Sequence, residues 1–224
     1  YLKEEGFTTG ELGLALSAIS ISYGISKFVM GTVSDRSNAR YFLPVGLILA
    51  GIVSLLMGVV PFFTSSVAIM FIMLFINGWF QGMGWPPSGR VLVHWFSVSE
   101  RGGKTAVWNV AHNVGGGLMA PLAIAGVSIF ATFMGSSYSG YEGVFILPAI
   151  VAIIIAIISF ILIRDTPQSV GLPPIEEYSN DFPNKMKKTF ETELTTKEIL
   201  FKYVLNNKWV WAIAHMDSLR ELKR

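Results

Sequence analysis

Residues 143–163 read GVFILPAIVAIIIAIISFILI, twenty-one positions without a charged side chain. The hydrocarbon core of a bilayer is about 30 Å thick, so a helix crosses it with roughly 20 mostly apolar residues. This stretch therefore reads as a membrane span. Four more lie upstream of it. Residues 42–63 hold no charge, and residues 11–33 hold one interior charge, Lys27. Residues 67–96 are longer, with Arg90 and His94 near the far end, and residues 105–134 contain His112 but no formal charge. Barrel strands would show alternating segments of about ten residues, which these unbroken runs do not. The fold class expected is an all-α membrane protein, a partial helical bundle of five spans.

Composition agrees. Of 224 residues, 52% are hydrophobic and 14% charged, against about 25% charged in an ordinary soluble domain. Too little charge is available to cover a soluble surface, and too much apolar content is present for disorder. A net charge of +2 is too mild to indicate nucleic acid, and with no cysteine there is no disulfide, thiolate nucleophile or cysteine metal site. The 22 glycines and 16 phenylalanines suit membrane helices.

Short joints (34–41, 64–66, 97–104 and 135–142) make neighbouring spans antiparallel. Arg36, Arg40, Arg101 and Lys104 all fall in joints on one side, and the other side offers only Lys3. The positive-inside rule then puts 34–41, 97–104 and the polar segment 165–207 in the cytoplasm. Within that segment TTKEILFKYVL (195–205) reads either as a surface amphipathic helix or as a solvated linker helix. Residues 209–215, WVWAIAH, begin like a sixth span and then turn polar. With Tyr1 in place of an initiating methionine, the expectation is a fragment lacking residues at both ends, with 208–224 the truncated start of the next span and an atypical tail after about Ala214. Many transporters are built from paired six-helix halves.

Lys27 lies inside the hydrocarbon by its position in the run. A lysine there costs at least ~2.5 kcal/mol unless it faces a wet cavity or a partner, or snorkels to the interface. Tyr23 shares its helix face at i−4, and Ser17, Ser20, Ser22 and Ser26 make the same span polar, as expected of a cavity wall. His112 falls near the midplane, bracketed by Asn109 and Asn113 with Trp108 one turn before. It reads either as a ligand to an anion or as an interhelical hydrogen bond. A lysine and a histidine without an acidic neighbour at depth suit an anion and call for no metal or cofactor. Gly78-x-x-x-Gly82 and Gly115-Gly116-Gly117 read best as packing positions, and Trp85-Pro86-Pro87 as a kink. At the cytoplasmic turns Asp35, Arg36, Arg40, Glu100 and Arg101 form either a gate network or simple topology-setting charge. No catalytic or nucleotide-binding motif is present, and His112 has no paired acid or nucleophile, so an enzyme is not expected.

The loop GTVSDRSNAR (31–40) resembles the loop between helices two and three of the major facilitator superfamily. The pattern Arg101-Gly102, five residues, Trp108-Asn109-x-x-His112-Asn113-x-Gly115-Gly116 resembles that of its organophosphate:phosphate antiporter family. GWFQGMGWPPSGR (78–90) and RDTPQSVGLPPIEEYSND (164–181) carry the likeness further, toward members that move glycerol 3-phosphate. The resemblance covers about residues 1–214. It implies helices two to six of a twelve-helix bundle in a bacterial inner membrane. The activity implied is exchange of glycerol 3-phosphate for inorganic phosphate by alternating access, which would need the helices this chain lacks. Tyr23, Lys27, Trp85, Asn109 and His112 match the family's substrate lining, and Asp35, Arg36, Glu100 and Arg101 its gate charges. The family's two principal phosphate-binding arginines have no counterpart here, so this piece alone is expected not to transport. A hexose-phosphate exchanger and a transporter-like sensor of sugar phosphates remain the rival readings.

Overall fold

The computed structural model describes residues 6–134 and 141–181, together with 201, 205–208, 211 and 212. Its contacts divide the chain into two units, Tyr1–Asp181 and Phe182–Arg224. The expected surface helix at 195–205 and the expected sixth span at 209–215 lie almost wholly outside the described residues, as does most of the joint 135–142.

The first unit is helical. Helix α1, Thr9–Asp35, starts at a capping box: Thr8 Oγ1 accepts from the Glu11 amide at 3.2 Å, and Glu11 Oε2 accepts from the Thr8 amide at 2.8 Å. Two of the helix's orphan donors are thereby satisfied. Helix α2, Ala39–Val59, starts at Asn38, whose side chain accepts from the Arg40 amide. A 3₁₀ turn at Pro61–Thr64 leads to Ser66, which caps α3, Val67–Gln81. Helix α4, Trp85–Trp95, follows after a break at Gly82–Gly84, where Pro86 and Pro87 cannot continue the α3 ladder. Helix α5 runs Val98–Met134 and α6 runs Glu142–Leu162. A 3₁₀ turn at Pro167–Val170 and one turn of helix, α7 at Ile175–Tyr178, follow. Taking α3 with α4 as one passage, five helical segments among the described residues are long and apolar enough to cross a membrane. This is the all-α, five-span bundle that the apolar runs predict.

One boundary differs. Residues 97–104 read as a joint, yet α5 begins at Val98. The paired glycines and charges of SVSERGGK suggest a loop. They are overridden by a helix-start pattern, Ser97-x-x-Glu100, with Ser97 O accepting from the amides of both Glu100 and Arg101. Arg101 and Lys104 therefore stand on the first turns of a long helix.

Helices α1 and α3 pack together, α2 lies between α3 and α6, α6 packs on α5, and α4 touches α1, α2 and α5. Close approach is carried by small residues. Ala15, Ala18, Ser22 and Ser26 form the buried face of α1, and Gly78 and Gly82 of α3 meet it. A Cβ on Gly78 would stand 2.6 Å from the Ile19 carbonyl oxygen, and one on Gly82 2.6 Å from Ser26 Cβ. Ser26 Oγ donates to the Trp79 carbonyl at 2.6 Å. Helix α2 repeats the device with Gly46 against Met83, Gly51 against Ile153 and Gly58 against Ile146. Gly126 of α5 and Gly143 of α6 bring two backbones into direct contact.

The packing expectation holds for Gly78 and Gly82. It does not hold within this chain for Gly115, Gly116 and Gly117, where an added Cβ would meet nothing within 4 Å. Helix α5 is exposed along most of its length, and large apolar side chains such as Val107 and Phe28 stand 71% and 69% exposed. Such surfaces are stable only against lipid or other helices.

The α1–α3 contact generates a prediction. Gly78→Leu, by driving a side chain into the Ile19 backbone, should destabilise the protein by about 1–3 kcal/mol, read as a lower unfolding midpoint in detergent. Gly84→Ala, where a Cβ meets only the Gln81 carbonyl oxygen at 3.5 Å, should cost below about 1 kcal/mol.

Candidate functional site

The helix break positions the site. Ending α3 at Gln81 and restarting at Trp85 turns the Trp85 ring toward α1 and α5. There it packs edge-on to Trp108 at 4.2 Å between centroids and to His112 at 5.6 Å. From α1, Lys27 Nζ lies 4.5 Å from the centre of the Trp85 ring and 4.3 Å from that of Tyr23. The ammonium is thus placed between two aromatic faces. Each such contact contributes about 0.5–2 kcal/mol. Ring quadrupoles carry no net charge, so they hold the cation without neutralising it.

Beside this cluster is a cavity of about 590 Å³, a size typical of small-molecule sites. Tyr23 and Ser20 of α1, Leu43 and Leu47 of α2, Gln81, Trp85 and Ser88 around the break, and Trp108 and His112 of α5 contribute to its wall. No Asp or Glu lines it, and the described residues contain no cluster of three or more His, Cys, Asp or Glu side chains that would suit a metal.

Of the residues singled out in the sequence, Tyr23, Lys27, Trp85 and His112 therefore come together. Asn109 does not join them: it is exposed on α5, and its carbonyl accepts from Asn113 Nδ2 at 3.0 Å. The serines of α1 divide in a way the sequence pattern does not reveal. At about 100° per residue, Ser20 falls with Tyr23 and Lys27, whereas Ser22 and Ser26 fall on the other side. There they are fully buried against Gly78 and Gly82. Ser17, half-buried, donates to the Leu14 carbonyl. Trp108 was legible from its i−4 spacing to His112. Leu43, Leu47 and Gln81 carry no local signal, because only tertiary packing brings α2 and the end of α3 to the cavity.

At the far end of the bundle the charges have specific partners. Asp35 ends α1, and its carbonyl accepts from Arg90 Nη1; Arg36 is the C-cap residue of α1. Arg40 donates from Nε to the Phe160 carbonyl at 3.1 Å and lies over the Phe160 ring. Glu100 stands in the first turn of α5. Arg101 Nη2 donates to the Val93 and Phe96 carbonyls, closing the C-terminal end of α4, a favoured use of a cation at a helix terminus. An ion pair at this end joins two residues outside that set: Arg90 Nη2 lies 3.0 Å from Asp165 Oδ2. Asp165 Oδ1 also accepts from the Ala39 amide at 2.8 Å, at the start of α2. One carboxylate thus ties α2 and α4 to the segment after α6. The signal for it was Arg90 itself, a cation near the end of an apolar run that needs a partner.

A multi-pass helical bundle with an aromatic-held cation beside a carboxylate-free cavity describes a membrane-protein fold with a candidate small-molecule site. Residues 1–216 match the sequence profile of the Major Facilitator Superfamily. The chain is 61% identical over 214 residues to the glycerol-3-phosphate transporter of Bacillus subtilis (strain 168), covering 96% of this chain and 46% of that protein. It is 44% identical over 218 residues to the probable hexose phosphate transport protein of Chlamydia trachomatis serovar D, covering 93% and 45%. It is also 39% identical over 204 residues to the membrane sensor protein UhpC of Escherichia coli (strain K12), covering 91% and 44%. The chain belongs to the major facilitator superfamily, and it spans about half the length of the curated relatives it matches.

The Arg90–Asp165 pair generates the second prediction. Arg90→Leu strands a largely buried carboxylate and should cost about 2–4 kcal/mol. Arg90→Leu combined with Asp165→Leu removes both charges and should cost less than the single change. What remains is roughly the two other lost bonds, from Ala39 to Asp165 and from Arg90 to the Asp35 carbonyl, about 1–2 kcal/mol. Denaturation of the three proteins in detergent checks the order.

Proposed function

We propose that this chain is the first-half bundle of a secondary transporter that takes up glycerol 3-phosphate in exchange for inorganic phosphate by alternating access. The observation that carries the reading is the Lys27 ammonium between the Tyr23 and Trp85 rings, with His112 on the same indole. Beside it stands a cavity with no carboxylate in its wall. A cation held by neutral rings keeps its charge available, and the ligand that fits is an anion small enough for the cavity. An acidic wall would instead suit a cation, and no described residue supplies one.

The similarity to a named glycerol-3-phosphate transporter supports that choice of anion. The remaining helices come from the part of the protein beyond this chain, and the exposed faces of α1 and α5 pack against them. Alone, the bundle does not transport. Residues 34–41 and 97–104 and the segment 165–207 face the cytoplasm of a bacterium, and the spans lie in its inner membrane. The protein is not an enzyme. Its ligands drive the conformational change only as far as they bind the two facing states differently.

Phosphate counterflow tests this reading. The full-length protein is placed in proteoliposomes loaded with labelled phosphate, and glycerol 3-phosphate or glucose 6-phosphate is added outside. Rapid efflux with glycerol 3-phosphate, reduced about tenfold or more in Lys27→Ala and His112→Ala through loss of charge-assisted hydrogen bonds, is the expected result. Efflux driven mainly by glucose 6-phosphate would make the protein a hexose-phosphate exchanger. Binding without efflux would make it a sensor.

A further inference from the structure

Asn77 lies on α3 one turn before Gln81 and is buried. Its Nδ2 donates to the Ala50 carbonyl of α2 and to Ser54 Oγ, each at 2.9 Å. A backbone carbonyl can only accept, so this contact fixes which end of the Asn77 amide is nitrogen. Asn77 Oδ1 is then an acceptor, and it receives Gln81 Nε2. The orientation of Gln81 follows in turn. Its nitrogen is committed inward to Asn77, while Gln81 is exposed and contributes to the cavity wall, and its Oε1 has no protein donor among the described residues.

Most other polar groups of the site are donors or can act as donors: the ammonium of Lys27, the ring of His112, the hydroxyl of Ser20 and the indoles of Trp85 and Trp108, while the Ser88 hydroxyl is committed to the Gly84 carbonyl. Gln81 Oε1 is a fixed acceptor among them. An ionised phosphoryl group is itself rich in acceptors and gains nothing from a carbonyl oxygen. A carbon-bound hydroxyl does gain, because it donates.

We propose that Gln81 Oε1, held in place by Asn77, accepts a hydrogen bond from a hydroxyl on the organic part of a phosphate ester, and so selects hydroxylated esters over unsubstituted ones. The inference rests on the phosphate-ester reading given above. It divides the cavity into two ends: Lys27 and His112 attract the phosphoryl group, and Gln81 reads what that group is attached to. Asn77 is a positioning residue, since it acts only by orienting the Gln81 amide. A site that pairs with a hydroxyl favours esters carrying one over analogues lacking it, because only the former supply the hydrogen bond.

The test compares glycerol 3-phosphate with propyl phosphate, a chain of the same length without hydroxyls, in the full-length protein and in Gln81→Met. Exchange against labelled phosphate is measured for both esters, with phosphate self-exchange alongside to report on folding. Gln81→Met should raise the half-saturation concentration for glycerol 3-phosphate by roughly three- to tenfold. It should leave propyl phosphate and phosphate self-exchange within about twofold. An equal loss for all three substrates overturns the proposal, as does no change for any. Should the wild-type protein exchange nothing, the transporter reading fails separately. Equilibrium binding of the two esters, followed by tryptophan fluorescence, then decides the hydroxyl preference: its presence in wild type and loss in Gln81→Met supports the proposal, and any other pattern overturns it.

Discussion

The close approach of α1 and α3 sets the geometry on which the site depends. Ser22 and Ser26, a turn apart and fully buried, meet Gly78 and Gly82, also a turn apart. In a bilayer no hydrophobic effect drives helices together, so contact comes from backbone proximity and from polar groups that reach across. Both are present here, with Ser26 Oγ on the Trp79 carbonyl as the bridge. Lys27 follows Ser26 by one residue, and Trp85 follows Gly82 by three. The register that seats small residues against glycines is therefore the register that brings the ammonium to the indole.

That placement resolves a conflict between charge and environment. An intramembrane lysine is costly unless it is hydrated or partnered. A carboxylate partner would relieve the cost and also cancel the charge. Two aromatic faces relieve part of it and leave the charge in place. The opposite solution appears at the other end of the bundle, where Arg90 is paired with Asp165. There the cation joins helices, and its charge is neutralised in doing so. The contrast is between a cation held by neutral rings and one neutralised by a carboxylate.

The spans were legible because membrane thickness imposes a length and an apolar content that few other structures require. Tyr23, Lys27, Trp85 and His112 stood out because polar or aromatic residues in apolar runs are conspicuous, and the structure does bring those four together. The division of the serines was less legible. Ser20 and Ser22 are two residues apart, and the side each takes depends on which face of α1 meets α3. Leu43, Leu47 and Gln81 were hidden for the same reason, since nothing in their local sequence marks a wall. Residues 97–104 misled because glycine and charge resemble a loop, even though Ser97 and Glu100 spell a helix start. The role of Arg101 followed that boundary: on a helix, it closes the end of α4.

The two prolines that break the third span have another effect. A helix normally presents four unpaired amides at its start, and with the macrodipole these make a grip for anions. In α4, Pro86 and Pro87 remove two of the four donors while leaving the dipole intact. The cavity therefore borders a positive pole that supplies field but few bonds. A field draws an anion into a region, whereas bonds fix it at a point. A helix start of this kind would attract a nearby anion without fixing its position.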